Sequence, residues 1–224
     1  MAIYTRTGDQ GTTALRGDQD RVSKGSFQIG ILGELDQLNA TLGLSTSILT
    51  SFVPHLDQNQ TQTVTQLNHQ LQQIQNHLFE IGALVAEYNP RQDQPAEKLL
   101  NQLDQFQQPT TDLESSIDQQ THALPELRNF ILPGGSVPGA HLHLARTQAR
   151  QTERELIRWI NTIDRPRGRR KTDDYQPIHQ PRWSGVLAYT NRLSDWLFTA
   201  ARTTNHLLQE SETVWSASSS SESQ

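Results

Sequence analysis

Apolar residues recur at helical spacing along most of the chain, in segments separated by polar or proline-containing stretches. The most regular segment, from about Thr61 to Glu87, carries a heptad-like apolar repeat, which is typical of a helix in a bundle core. Its apolar positions are Leu67, Leu71, Ile74, Leu78, Ile81 and Val85. Comparable stripes predict four further helices, over about 30–51, 96–122, 140–163 and 184–209. Pro109 is expected to kink or split the helix over 96–122. Five long helices whose connections suit antiparallel packing predict an all-α, up-and-down five-helix bundle.

Residues 1–210 are predicted to form a single domain, because a chain of 224 residues is long enough for one full hydrophobic core. Within this domain, residues 164–183 combine the basic run Arg165-Pro-Arg-Gly-Arg-Arg-Lys171 with further prolines, so we expect a mobile loop there. Residues 211–224 are rich in serine and glutamate, and that composition predicts a disordered tail.

The composition excludes several classes of function. The formal net charge of -5 argues against a protein that binds nucleic acid in bulk. The absence of cysteine excludes disulfides, thiolate metal sites and cysteine nucleophiles. No run of about 18 apolar residues is present, so no membrane span is expected, and the first residues lack the apolar core of a signal peptide. We therefore expect a cytoplasmic protein without nucleic-acid or membrane partners.

The predicted helix over 140–163 carries arginines where a packing face is expected. At about 100° per residue, Arg146, Arg150, Glu153 and Arg154 share one face. Apolar residues lie on or beside the same side, and burial of guanidinium groups is costly unless anions meet them. Three interpretations follow: the arginines pair with acidic residues elsewhere, they bind an anionic ligand, or they form a solvated face.

Two other segments carry candidate chemistry. The stretch Thr7-Gly-Asp-Gln-Gly-Thr-Thr13 can turn successive backbone N–H groups toward an anion, although an ordinary surface turn has the same composition. It lacks the Gly-Lys-Ser/Thr ending of a Walker A loop. Asp36 lies beside a strip of small residues on the first helix, where it is either a buried anion that needs a cation or an exposed acid.

Six motifs occur in a fixed order along residues 3–206: Tyr4-Thr-Arg-Thr-Gly-Asp-Gln-Gly-Thr-Thr13, Arg21-Val-Ser-Lys24, Gly33-Glu-Leu-Asp-Gln-Leu-Asn39, Phe130-Ile-Leu-Pro-Gly-Gly-Ser136, His143-Leu-Ala-Arg146 and Asn191-Arg-Leu-Ser-Asp195. In these motifs the chain resembles the PduO-type ATP:cob(I)alamin adenosyltransferases. The resemblance implies a five-helix bundle that assembles as a homotrimer with active sites between subunits. It implies transfer of the 5′-deoxyadenosyl group of ATP to Co(I) of a reduced corrinoid, with Mg²⁺ present and triphosphate released. A corrinoid reductase and an adenosylcobalamin-dependent enzyme are the partners that this reaction implies.

The resemblance also assigns roles to residues. The loop around the triphosphate would comprise Thr5, Thr7, Gly8, Asp9, Gly11 and Thr13. Lys24 and Arg150 would contact the phosphates, and Glu153 would help to hold the nucleotide and Mg²⁺. Arg146 would pair with Asp36 at the subunit interface.

On the predicted helix over 184–209, Asn191 would lie at the nucleotide, and Ser194 and Asp195 would support the corrinoid side. Phe130 would lie below the corrin ring and keep the lower cobalt ligand away; the alternative is an ordinary core aromatic. The family has a second arginine where this chain has Gln151. This substitution leaves open a non-catalytic trimer that binds ATP or corrinoid as a carrier or regulator.

Overall fold

Five long helices account for most of the residues that the structure, a computed structural model, describes: 4, 6–15, 21–88, 101, 103–163 and 183–216. The helices are α1 (Phe27–Phe52), α2 (Gln58–Glu87), α3 (Gln107–Ala123), α4 (Val137–Ile163) and α5 (Ser184–Leu207). A short antiparallel hairpin of β1 (Thr12–Ala14) and β2 (Arg21–Ser23) precedes them, with Thr13 paired to Val22. A 3-10 turn, Val53–His55, joins α1 to α2. The all-α five-helix bundle predicted from the sequence is therefore confirmed.

Local capping chemistry decides where the helices begin. Ser26 caps α1 by accepting a hydrogen bond from the N–H of Ile29. Asp57 and Gln60 form a reciprocal capping box at the start of α2, which lengthens this helix beyond the predicted boundary. Pro109 lies in the first turn of α3, where a missing N–H costs nothing. The predicted helix over 96–122 is accordingly split, and its second half begins at Gln107.

The core is built around α4 and α5, which form the most extensive helix pair. α1 packs on α4, α3 packs on α5, and α2 packs on α1. All six apolar positions of the α2 repeat are buried, so this part of the sequence prediction is correct. Among the described residues, none of the helices combines the length and the apolar content that crossing a bilayer requires.

Two predicted irregular segments lie largely outside the described residues, and each has one end that the structure describes. Residues 164–182 of the basic loop lie outside the described residues, but Trp183, its last predicted residue, is fully buried against Trp159, with ring centroids 5.0 Å apart. The tail predicted to be disordered from Ser211 is ordered as far as residue 216, because Val214 pairs with Ile131 in an isolated antiparallel bridge. Residues 217–224 lie outside the described residues.

Candidate active site

The N-terminal loop and Lys24 form one group. The turn of residues 7–10 is closed by a hydrogen bond from the Gly11 N–H to the Gly8 carbonyl, and Gly11 adopts a positive φ of 76° that favours glycine. The Lys24 N–H donates to the Gly11 carbonyl at 2.9 Å. A methyl group added to Gly8 would lie 3.0 Å from the Lys24 Nζ, so the ammonium group lies directly over the loop. Thr5 lies outside the described residues.

Arg21 holds this loop to the hairpin. Its guanidinium donates to the Thr7 carbonyl at 2.6 Å and to the Thr12 carbonyl at 2.8 Å, and its Nε donates to the Thr12 hydroxyl at 2.9 Å. These donors shape the loop, which leaves Lys24 as the cation directed at the loop itself.

The second group joins α4 to α5. The Asn191 amide donates to the Glu153 carboxylate at 2.9 Å, so two residues 38 positions apart in sequence meet at one point. Arg150 lies one turn before Glu153 on α4 and is exposed. Gln151 donates to Glu155 at 3.2 Å and accepts from the Arg154 guanidinium. The predicted cationic face is therefore divided: Arg154 is engaged by its own helix, whereas Arg150 projects outward.

Further along α5 are the two residues predicted to support the corrinoid side, and one of them is buried while the other is exposed. Ser194 is buried, and its hydroxyl donates to the Asn191 carbonyl within the helix. Asp195 is exposed and accepts from Arg192 at 2.7 Å. Arg192 also donates to Glu114 of α3 at 3.0 Å, so Asp195 is held at the outer end of an ion-pair network.

Asp36 and Arg146 lie on different sides of α1. Asp36 is exposed and lines a concavity of about 330 Å³ with Leu78 and Phe79 of α2. α4 packs against the other side of α1, where Thr152 donates to the Glu34 carbonyl. The interpretation of Asp36 as a buried anion therefore does not hold within one chain, and these two residues are not brought together there.

Arg146 itself is half-buried, and its Nε has no hydrogen-bond partner among the described residues. Burial and the nearby Arg150 charge lower the pKa of the Arg146 guanidinium. The two arginines therefore repel each other, and α4 presents an excess of positive charge that an anion would relieve.

The segment that carries Phe130 is held by Asn205 of α5. Asn205 is 1% exposed; it accepts from the Ser136 N–H at 3.0 Å and from the Ser136 hydroxyl at 2.8 Å, and donates to the Gly134 carbonyl at 3.0 Å. Gly135 has a φ of 98°, and any side chain there would collide with the Asn205 amide. Phe130 is 79% exposed, so the alternative of an ordinary core aromatic is wrong.

The arrangement matches known proteins along almost its whole length. The family model described as cobalamin adenosyltransferase matches residues 3–204. The chain is 35% identical over 205 residues to the corrinoid adenosyltransferase of Bacillus subtilis (strain 168), covering 92% of this chain and 87% of the relative. It is 35% identical over 208 residues to that of Mycobacterium leprae (strain TN), covering 91% of each.

This chain belongs to the cobalamin adenosyltransferase family. A variant of the PduO-type ATP:corrinoid adenosyltransferase from Lactobacillus reuteri, solved in complex with cobalamin and ATP, has the same fold. Its TM-score is 0.70 at 30% sequence identity, with 96% of this chain and 99% of that chain covered. The resemblance that the six sequence motifs indicated is thus confirmed.

In this member of the cobalamin adenosyltransferase family, the sequence did not reveal the residues that hold the predicted site residues in position. Arg21 orders the N-terminal loop, Asn205 orders the Phe130 segment, and Arg192 orders Asp195. One signal was available: Asn205 follows Ala201 by one turn on the inward face of α5, where a polar residue needs a buried partner. The partner itself could not be named from the sequence.

The metal prediction is compatible with the residues of this family member. The described residues contain no cluster of three or more histidine or acidic side chains that could enclose a metal ion. Glu153 supplies one carboxylate, of which one oxygen accepts from Asn191. Mg²⁺ characteristically binds through one or two carboxylates together with substrate phosphates and water, rather than through a site made only of protein ligands. A single carboxylate from Glu153 is therefore compatible with Mg²⁺ that is held mainly by ATP.

Proposed function

We propose that this chain is a corrinoid adenosyltransferase, which transfers the 5′-deoxyadenosyl group of ATP to Co(I) of a reduced corrinoid and releases triphosphate. The observation that carries the proposal is the uncompensated positive charge of α4. Arg146 and Arg150 have no ion-pair partner among the described residues, and Arg150 lies one turn before Glu153, which accepts from Asn191. Of the three interpretations of the arginine face, an anionic ligand is thereby favoured for Arg150.

The N-terminal loop supplies a second anion site. The backbone of residues 7–13, with Lys24 over Gly8, offers N–H donors and one ammonium group to a polyphosphate. In the described part of one chain the two strands of the hairpin pack mainly on each other. A site that needs both Lys24 and Arg150 is therefore best explained by two subunits, with the loop of one facing α4 of the next.

The chemistry requires positioning more than proton transfer. In the reaction a bond forms between C5′ and cobalt, the bond from C5′ to the phosphate oxygen breaks, and its electron pair leaves with triphosphate. Because Co(I) is itself the nucleophile, the protein needs no general base. Arg150, Lys24 and the loop N–H groups would stabilise the departing charge, and Glu153 with Asn191 would orient the nucleoside.

Phe130 has the role of excluding the lower ligand of cobalt. Its ring is exposed although it belongs to a tightly held segment, as expected for a side chain that meets a substrate rather than a core. Four-coordinate Co(II) accepts an electron more readily, because removal of an axial ligand lowers the energy of the receiving orbital. Ser194 and Asp195 would act on this side only indirectly, through the shape of α5.

A homotrimer with active sites between subunits accounts for Asp36 and Arg146. The two lie on opposite sides of the α1 packing within one chain, so a salt bridge between them requires a neighbouring subunit. The small residues Gly33 and Ala40 beside Asp36 are exposed, which would permit a close approach of another helix.

We further infer that Glu153 would help to hold Mg²⁺ together with the phosphates of ATP; when bound, the ion would offset the negative charge of the phosphates. A reductase must supply Co(I), and an adenosylcobalamin-dependent enzyme would consume the product. A cytoplasmic location remains a prediction.

The test is direct. The purified chain is mixed with Mg²⁺, ATP and chemically reduced cobalamin, and the absorption spectrum is followed with a parallel measurement of triphosphate. We expect the Co(I) spectrum to change to that of adenosylcobalamin with one triphosphate released per product, and no change in reactions that lack either ATP or protein. Binding of ATP and corrinoid without this conversion would instead support the carrier or regulator.

A further inference from the structure

The chain beyond α5 turns back over the segment that carries Phe130. We call residues 212–215 the C-terminal strap. The Leu132 N–H donates to the Thr213 carbonyl and the Trp215 N–H donates to the Phe130 carbonyl, both at 2.8 Å. Val214 pairs with Ile131 between these two bonds. The strap is therefore bonded to the backbone of Phe130 itself.

A buried ion pair anchors the strap to α5. Arg202 is 5% exposed, and its guanidinium donates to both carboxylate oxygens of Glu212, at 2.8 and 3.1 Å. The same guanidinium donates to the Pro125 carbonyl at 3.0 Å, before the Phe130 segment. Such a forked contact restrains direction as well as distance. The strap is consequently held at both ends of its course over the segment.

The side chains continue this contact. The Trp215 and Phe130 rings meet edge to face, with centroids 6.4 Å apart and an interplanar angle of 78°. Both are largely solvent-exposed, at 51% and 79%. An exposed phenylalanine would otherwise exchange among side-chain rotamers. Trp215 thus restrains the Phe130 ring at a place where the core does not.

We propose that Trp215 is a positioning residue that holds the Phe130 ring in the orientation that displaces the lower cobalt ligand. This inference rests on the proposed function of the same site. Aromatic pairs of this geometry are worth enough to bias a rotamer population about two- to tenfold. Loss of the Trp215 ring should therefore weaken ligand displacement by a similar factor without changing ATP binding.

The experiment compares two corrinoids in an adenosylation assay that starts from Co(II) and uses a reductant too weak to reduce five-coordinate cob(II)alamin, because Co(I) carries no lower ligand and reduction in advance would remove the step under test. Cobalamin carries a tethered lower base, and cobinamide lacks it, so only cobalamin needs that base displaced. For Trp215→Ala we expect kcat/KM for cobalamin to fall about two- to tenfold, with little change for cobinamide or in KM for ATP. The absorption spectrum of bound cob(II)alamin should show a smaller four-coordinate fraction. Trp215→Phe, which keeps a ring, should recover most of the loss.

Matched variants separate this effect from general damage. Val214→Ala removes a similarly exposed apolar side chain from the same strap. Successive side chains of an extended segment point to opposite sides, so the Val214 side chain is directed away from the side on which Trp215 meets Phe130. Both corrinoids should therefore react normally with this variant. Phe130→Ala should discriminate strongly between the corrinoids, and adding Trp215→Ala to it should cause little further loss.

The outcomes are distinct. Equal losses for cobalamin and cobinamide in Trp215→Ala, or fully additive losses in the double variant, would overturn the inference while the proposed function stands. A wild-type chain that forms no adenosylated product from either corrinoid would refute the proposed function, and the inference with it.

Discussion

Replacement of Asn205 by alanine should release the segment that carries Phe130. The Asn205 side chain makes three hydrogen bonds to this segment, two to Ser136 and one to the Gly134 carbonyl. It is 1% exposed and lies so close to Gly135 and Gly139 that neither can carry a side chain. The segment has thus been shaped around one amide group, and no neighbouring side chain in the described contacts substitutes for it.

The magnitude follows from these three bonds. A hydrogen bond contributes about 1 kcal/mol net, and a buried group left without a partner costs about 1–3 kcal/mol. Water can reach part of the vacated site because Ser136 is half-buried, so we expect the lower end, about 3 kcal/mol in the free energy of unfolding. For a chain of this size that corresponds to a fall in Tm of roughly 6–12 °C.

Urea denaturation followed by circular dichroism, at one protein concentration so that assembly contributes equally, measures this loss. Thr204→Ala is the matched control, because Thr204 is equally buried on the same helix but its hydroxyl donates only to the Ala200 carbonyl of α5. We expect the control to lose about 1 kcal/mol. If Asn205→Ala loses no more than the control, then the amide does not hold the segment and the reasoning is wrong.

Three further predictions concern charge. Arg150→Ala should raise KM for ATP or lower kcat by tenfold or more, because it removes an exposed cation from the phosphate site. Arg154→Ala is the control: its guanidinium is engaged by its own helix, so its kinetic constants should stay within about threefold of those of the wild type. Equal effects of the two substitutions in steady-state kinetics would contradict the assignment of Arg150. Asp36→Ala should weaken assembly by roughly 3–5 kcal/mol by leaving Arg146 unpaired at the interface, and sedimentation that shows an unchanged trimer would count against the pair. Burial, with the charge of Arg146, lowers the pKa of His143 to about 4. The unfolded histidine has a pKa near 6.5, so between about pH 4 and 6.5 the unfolded state binds more protons than the folded state. The free energy of unfolding should therefore fall as the pH drops from about 6.5 to 4, by at most about 1.4 kcal/mol per pH unit. His143→Gln should flatten that part of a plot of unfolding free energy against pH, and an unchanged slope would show that His143 is not its source.

The sequence by itself determined the helices and the order of the site motifs. Apolar periodicity is local information: a residue buried on one face of α2 is buried because of its spacing, and Leu71, Ile74 and Ile81 are almost fully inaccessible. Arg150 and Glu153 also follow from spacing on one helix. Helix starts were less predictable, since they depend on single capping contacts such as that between Asp57 and Gln60.

Only the tertiary structure decided which distant residues meet. Asn191 and Glu153, Asn205 and Ser136, and Arg202 and Glu212 are paired by the packing of α4, α5 and the chain beyond them. Composition predicted disorder from Ser211, but Glu212 is drawn to a buried guanidinium that no local rule reveals. Periodicity states which face of a helix is inward; it carries no information about what lies opposite. For that physical reason, the cations of α4 could be predicted from the sequence, whereas the lack of an ion-pair partner for Arg146 and Arg150 within the described residues could not.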